Sequence, residues 1–170
     1  FVTIPGGPVR DTFIPPTVRA RMESEYEVVW NETGHDLTAD ELAGRLSDID
    51  IVLPGWGSAR YTQQVLDRAP RLKAIAYTGG SVTPVVDDAA YRRGIRVLSG
   101  NDLYARSVAE SVVCYALASL RRIPQFVNQV QQEGWVRPGW YNEGLLDQRV
   151  GLVGFGAVAR HAARLLRAFG

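Results

Sequence analysis

The hydrophobic positions along this chain form short continuous runs, which alternate with segments where apolar residues recur every three or four positions. Continuous apolar runs are typical of strands in a parallel sheet that is buried on both faces, whereas the wider spacing is typical of helices. We therefore predict five strands in the first part of the chain, at residues 1–4, 25–30, 49–55, 72–78 and 95–100.

The segments between these runs predict helices. The Pro-Gly-Gly-Pro sequence at residues 5–8 predicts a turn, and Pro15 and Pro16 suit the first turn of a helix that continues to residue 25. Thr38 and Glu41 have the spacing of a capping box and predict a second helix. Further helices are predicted at residues 61–70 and 84–94. Strands alternating with helices predict an α/β class, a flavodoxin-like doubly wound parallel sheet, over residues 1–100.

The pattern changes after residue 100. A long helix is predicted from Asp102, and one buried stripe is expected along it, made of Ala105, Val108, Val112, Ala116, Leu120 and Ile123. Pro124 is expected to end or kink this helix before a second helical piece at residues 125–134. The following loop, residues 134–148, carries Trp135, Trp140 and Tyr141, and we interpret these aromatic residues as a partner surface rather than a packed one.

A glycine-rich turn stands near the end of the sequence. Residues 150–153 predict a strand, and the segment "GFGAVA" at residues 154–159 opens a helix. This arrangement indicates a dinucleotide site, because Gly156 lets a pyrophosphate approach the N–H groups of the helix N-terminus. The same glycines could also serve only to turn a strand into a helix. The acidic residue that would hold the adenosine ribose is expected about 20 residues further on, beyond Gly170.

Charge and composition narrow the classes of partner. The 19 basic and 18 acidic residues give a net charge of +1, and their spread along the chain argues against a nucleic-acid partner. The longest apolar runs are too short to span a bilayer, so no membrane association is expected. The single cysteine, Cys114, forms no disulfide framework and is expected to be buried. These features favour a cytoplasmic protein with a small-molecule or protein partner.

Four segments in a fixed order resemble the D-isomer-specific 2-hydroxyacid dehydrogenase family: residues 72–100, 105–124, 133–135 and 149–160. The resemblance implies that residues 1–100 form a substrate or catalytic domain. It also implies that residues 101–170 contain a linking helix, the aromatic loop and the first strand, turn and helix of a Rossmann NAD-binding domain. A homodimer and NAD or NADP as cofactor are further implications.

The resemblance also assigns site residues. It implies that the substrate carboxylate meets the loop after the fourth strand, formed by Thr78, Gly79, Gly80, Ser81 and Val82. The residue types suit this role, because exposed backbone N–H groups and the Ser81 hydroxyl form an anion nest, although the loop could also be a plain strand-to-helix turn. The cofactor would contact Val108, Gly154, Phe155, Gly156, Ala157 and Val158.

The family's catalytic Arg, Glu and His are expected downstream of Gly170, so no catalytic residue is assigned within this sequence. His35 and His161 are expected to be surface residues. Val82 and Ser111 depart from residues common in the family, which leaves the substrate class open. The loop around Trp56 could line the same cleft as residues 78–82, or Trp56 could serve packing alone.

The expected function is oxidation of the CH–OH group of D-2-hydroxy acids, or reduction of the matching 2-oxo acids, with NAD or NADP. The sequence would then be an N-terminal portion, inactive by itself. One alternative is a regulatory protein on the same fold that senses NAD(H), as corepressors related to these dehydrogenases do. Another is a self-contained flavodoxin-like module in which the glycine turn binds nothing.

Overall fold

Strands and helices alternate through the first hundred residues of the computed structural model, which describes residues 1–135, 138–139 and 141–170. The chain divides into two compact units, Phe1–Asn101 and Asp102–Gly170. The assignment of the first as a substrate domain and the second as the start of a cofactor domain remains a prediction.

The strands of the first unit are parallel. They are β1 (Val2–Pro5), β2 (Trp30–Asn31), β3 (Ile51–Val52), β4 (Ala74–Tyr77) and β5 (Arg96–Ser99). The backbone N–H of Thr3 donates to Leu53 O at 3.1 Å, and Leu53 N–H donates to Phe1 O at 2.8 Å, which joins β1 to β3. The resulting order is 2-1-3-4-5, which is the flavodoxin-like order, so the predicted fold class is confirmed.

Five short helices connect these strands: α1 (Pro8–Phe13), α2 (Pro16–Glu25), α3 (Ala39–Ala43), α4 (Gln63–Asp67) and α5 (Asp88–Arg92). The predicted capping box is present, because the Thr38 hydroxyl accepts from Glu41 N–H while the Glu41 carboxylate accepts from Thr38 N–H. Thr62 and Asp87 cap α4 and α5 in the simpler way, each accepting a backbone N–H.

The two faces of the sheet are covered to different extents. Val52, Ile75 and Tyr77 lie in the main core, where side chains of α3, α4 and α5 bury them. On the other face α1 and α2 cover only the region around β1, packing with Val2, Ile4 and Leu53. Ile51 and Leu98, on the same face, stay 45% and 59% exposed. The expectation of a sheet covered on both faces is therefore wrong for β3–β5 within the described chain.

Two predicted elements at the start of the chain differ from the structure. The strand expected at residues 25–30 is only Trp30–Asn31, because α2 continues to Glu25, where Arg21 pairs with Glu25 at 2.8 Å. The sequence reasoning also missed α1, which begins at Pro8 directly after the Pro-Gly-Gly-Pro turn. Proline is well accommodated in the first turn of a helix because its missing N–H has no partner there anyway.

The second unit is mostly helical. Its helices are α6 (Asn101–Leu120, which starts in the first unit), α7 (Ile123–Glu133) and α8 (Ala157–Leu166), followed by a 3-10 turn at Arg167–Phe169. The break predicted near Pro124 is present, since α6 ends at Leu120 and Pro124 lies in the first turn of α7. Trp140 lies outside the described residues, and its neighbours Trp135 and Tyr141 are exposed.

The stripe expected along α6 is only partly buried, since Ala116 and Leu120 are half buried. Ala105 and Ala109 are buried, whereas Val108, Val112 and the nearby Ile123 are exposed. Cys114 is also exposed, so the prediction of a buried cysteine is wrong. The cause is the same in both cases: beyond its first turns, no described residue covers this helix enough to bury these side chains.

The strand predicted at residues 150–153 does not form. Val150, Leu152 and Val153 are exposed, and no neighbouring strand pairs with them within the described residues. Apolar residues form a strand only when a paired strand supplies the ladder of hydrogen bonds. Residues 150–153 have the sequence preference of a strand, but no described strand pairs with them. None of the described helices has the length and apolar character needed to cross a membrane.

Candidate functional site

The carboxyl ends of β1, β3 and β4 lie side by side at one edge of the sheet. Connections from β1 and β3 lead away in opposite directions along the sheet order 2-1-3-4-5, so a crevice opens between their ends. Ligands of open α/β sheets bind in this position. The loops that surround it are residues 6–7, 54–58 and 78–82.

Hydrogen bonds of Thr78 and Gly79 fix the loop of residues 78–82 to neighbouring segments. Thr78 donates from both its N–H and its Oγ1 to Pro54 O, at 3.0 and 3.2 Å. Gly79 O accepts a bond of 3.0 Å from Gly100 N–H. No described residue accepts from the N–H groups of Gly79, Gly80 and Ser81. Three consecutive free donors at the end of a strand are suited to bind an anion.

The members of this loop differ in packing. Gly79 is buried against the Tyr77 ring, where a Cβ would lie only 2.5 Å from Tyr77 Cζ. At Gly80 the nearest atom to a Cβ would be Asn101 Oδ1, at 3.6 Å. Ser81 is exposed, and Val82 packs partly against the main core. The structure therefore brings residues 78–82 together as one loop, anchored at its ends and open at its centre.

The neighbouring loop after β3 supports this arrangement. Ser58 Oγ accepts from Gly55 N–H at 3.2 Å and lies 3.3 Å from Thr3 Oγ1 of β1. Gly55 is required there, because a Cβ would lie 2.8 Å from Ile4 Cγ1. The sequence reasoning noted this loop only for its position after a strand. It missed the role of Pro54 O, which no local pattern could have shown.

The pKa shifts of two groups in the first unit have clear physical causes. Burial raises the pKa of Tyr61, whose side chain is enclosed in the main core. Hydrogen bonds from Thr38, and then His35, lower the pKa of the Glu41 carboxyl. His35 is exposed, as expected, and its Nε2 lies 3.2 Å from Glu41 Oε1. Within the described chain no cluster of residues is suited to hold a metal ion.

The glycine turn of the second unit has open space around its backbone. Gly154 has a φ of 85°, which favours glycine, and a Cβ on Gly154 or Gly156 would meet nothing within 4 Å. No side chain caps α8 at Gly156. Phe155 is exposed, while Ala157 and Val158 begin the helix, half buried. The strand that precedes such a turn in a dinucleotide site does not form within the described residues, so contact of this turn with a pyrophosphate remains a prediction.

The other residues assigned to the second unit are less informative. Val108 lies on α6 and is 46% exposed, so its contact with a cofactor remains a prediction. His161 is half buried on α8, where its Nδ1 lies 3.3 Å from Arg164 Nη1.

Comparison with known proteins defines the class. Residues 9–163 match the family model described as "D-isomer specific 2-hydroxyacid dehydrogenase, catalytic domain". The chain therefore belongs to this family, and the resemblance inferred from its four segments is confirmed.

Curated relatives carry related names. D-3-phosphoglycerate dehydrogenase of Methanocaldococcus jannaschii is 30% identical over 82% of this chain and 26% of its own length. Glyoxylate reductase of Pyrococcus furiosus is 28% identical over 92% of this chain and 48% of its own length. The chain thus spans between about a quarter and a half of these two relatives.

A solved structure shows the same fold. The acyclic imino acid reductase Bsp5, determined with NADPH and D-Arg, has a TM-score of 0.76 and 23% identity. The match covers 99% of this chain and 52% of that protein.

We predict that Gly79 and Gly80 respond differently to alanine. Gly79→Ala forces a Cβ into the Tyr77 ring and should lower the free energy of unfolding by about 1–3 kcal/mol, the usual cost of overpacking. Gly80→Ala, with ordinary contact at 3.6 Å, should change it by less than about 0.5 kcal/mol. Urea unfolding of both variants measures the difference, and equal stabilities would contradict the packing described for this loop.

Proposed function

We propose that this chain contains the substrate-binding portion and the beginning of the cofactor-binding portion of an NAD- or NADP-dependent D-2-hydroxyacid dehydrogenase. The observation that carries the proposal is the row of free N–H groups at Gly79, Gly80 and Ser81. In a member of this family, such a row at a sheet edge is suited to hold the carboxylate of a 2-hydroxy or 2-oxo acid.

The residues of the chain then have distinct tasks. The loop of residues 78–82 binds and orients the substrate carboxylate, while Thr78 fixes the loop on Pro54 O. The glycine turn and the first N–H groups of α8 bind the cofactor pyrophosphate. When bound, the nicotinamide exchanges a hydride with the 2-carbon of the acid.

The proton donor and the group that polarises the carbonyl belong to residues outside the printed sequence in this proposal. Two observations support this. Its relatives are two to four times longer than the portion they share with the chain. His35, which belongs to the same unit as residues 78–82, is engaged with Glu41. A cytoplasmic location completes the proposal, since the lone Cys114 builds no disulfide framework.

The first test is turnover by the full-length protein. We expect it to oxidise NADH or NADPH when given a small 2-oxo acid, and we expect the printed 170 residues alone to show no turnover. The kinetics of the Ser81→Asp variant test whether the loop of residues 78–82 binds the substrate. A carboxylate at this exposed position repels the substrate carboxylate and should raise KM by about tenfold or more, with less effect on kcat.

Ser47→Asp is the matched control, because Ser47 is also exposed but lies beyond α3, and its kinetics should equal those of the parent protein. An unchanged KM in Ser81→Asp would contradict the role of this loop. Binding of NADH without turnover of any 2-oxo acid would contradict the dehydrogenase proposal and favour the NAD(H)-sensing alternative.

We also propose that the full-length protein is a homodimer that uses α6. The spacing of an α-helix places Tyr104, Val108, Val112 and Tyr115 on one face, and all four are exposed. An apolar helix stripe exposed to water is unfavourable unless a further surface covers it, and a second copy of the chain offers a matching stripe.

Charge reversal on this face tests the dimer. Tyr115→Glu, at a side chain that is 72% exposed, should convert the dimer to a monomer, because a buried unpaired carboxylate is costly to desolvate. Arg106→Glu is the control, since the helical period places Arg106 opposite Tyr115. Light scattering gives the masses. A monomeric parent protein, or a dimeric Tyr115→Glu variant, would contradict the proposal.

A further inference from the structure

Trp56 lies in the loop after β3, which is bonded to the loop of residues 78–82 through Pro54 O. Its indole is 61% exposed, an unusual state for so large an apolar group. The ring packs edge to face against Phe13, with centroids 5.2 Å apart and planes at 84°. Phe13 ends α1, the helix that follows β1, and Trp56 follows β3. The pair therefore stands at the crevice between the ends of β1 and β3.

The backbone on both sides of Trp56 is fixed. Gly55 N–H donates to Ser58 Oγ at 3.2 Å, and Ser58 N–H donates to Gly55 O at 3.3 Å. Gly57 adopts a φ of 83°, a conformation that other residues rarely adopt. A closed loop of this kind presents the indole in a defined position, so its exposure does not arise from a loose chain.

The loop of residues 54–58 is hydrogen-bonded to the loop of residues 78–82. Pro54 O accepts both bonds from Thr78, and a Cβ on Gly55 would lie 3.5 Å from Thr78 Oγ1. Trp56 therefore lies two residues after a carbonyl that is bonded to Thr78, the residue directly before the free N–H groups of Gly79, Gly80 and Ser81. The two loops are thus joined at the base of the region where Trp56 is exposed.

The charges around this position disfavour a charged substrate side chain. Residues 54–58 and 78–82 include no ionisable side chain. The Asp36 carboxylate approaches Gly57 closely and would repel a phosphate. The nearest cations are already paired. Arg60 lies 3.7 Å from the Asp87 carboxylate. Arg10, which lies beside Gly6, is 3.5 Å from the Glu32 carboxylate and donates to Asn31 O at 3.1 Å.

We propose that Trp56 is a specificity-determining residue that binds an uncharged, apolar side chain of the 2-oxo acid. The proposal rests on the proposed function, since it requires the carboxylate at residues 79–81. It assigns the substrate to acids with a hydrocarbon side chain and excludes phosphorylated acids as preferred substrates.

Steady-state kinetics of the full-length protein with three acids test this assignment: glyoxylate, 4-methyl-2-oxopentanoate and 3-phosphohydroxypyruvate. The parent protein should prefer 4-methyl-2-oxopentanoate to 3-phosphohydroxypyruvate. Trp56→Ala should lower kcat/KM for 4-methyl-2-oxopentanoate by about tenfold or more, mainly through KM, because the apolar contact is lost. Glyoxylate has no side chain, so its kcat/KM should change by less than about threefold.

Two further variants separate specificity from folding. Trp56→Phe keeps an apolar ring and should retain most of the activity toward 4-methyl-2-oxopentanoate. Tyr91→Ala removes another exposed aromatic residue, on α5, and should leave all three values unchanged. The assignment of Trp56 would be overturned if Trp56→Ala lowered kcat/KM equally for all three acids, or if the parent protein preferred 3-phosphohydroxypyruvate. Neither result would contradict the proposed function. A parent protein that turns over no 2-oxo acid would overturn the proposed function itself.

Discussion

The parallel junction between β1 and β3 is the contact on which the first unit depends. Leu53 N–H donates to Phe1 O and Thr3 N–H donates to Leu53 O, so residues some fifty positions apart become neighbours. These bonds place β1 inside the sheet, between β2 and β3. Because the connections from the two strands lead in opposite directions, the same junction creates the crevice that the loops at residues 54–58 and 78–82 surround.

The two units use their apolar residues differently. In the first unit, Leu46, Val52 and Ile75 are fully buried in a core between the sheet and its helices. In the second unit, apolar residues of α6 and of residues 150–155 remain exposed. Burial of apolar surface is the main favourable contribution to folding, so the second unit gains less from it within the described chain. Both the proposed dimer and a completed cofactor domain would supply the missing cover.

Much of the fold could be predicted from local patterns. The capping box at Thr38 and Glu41 depends on residues three apart, and the strands at β4 and β5 are strong apolar runs, so sequence alone was sufficient. The failures have another origin. Residues 150–153 have a strand pattern but no paired strand, and Cys114 lies in an apolar helix whose cover is absent from the described residues. Burial and pairing depend on distant residues, which no local pattern reports.

The candidate site divides in the same way. The glycines of residues 78–82 were assigned through the family resemblance, and their residue types support an anion nest. The bonds from Thr78 to Pro54 O join residues 24 positions apart and became visible only in the structure. The placement of Trp56 beside Phe13 is similar, because it depends on how α1 returns to the sheet edge.

The central claim is that the N–H groups of Gly79, Gly80 and Ser81 bind a substrate carboxylate. Amide nitrogen–proton NMR spectra of the full-length protein with its cofactor, titrated with the pyruvate analogue oxamate, test this most directly. The account predicts that the resonances of these three residues shift most and saturate together. Saturating shifts elsewhere, with these three resonances unchanged, would contradict it.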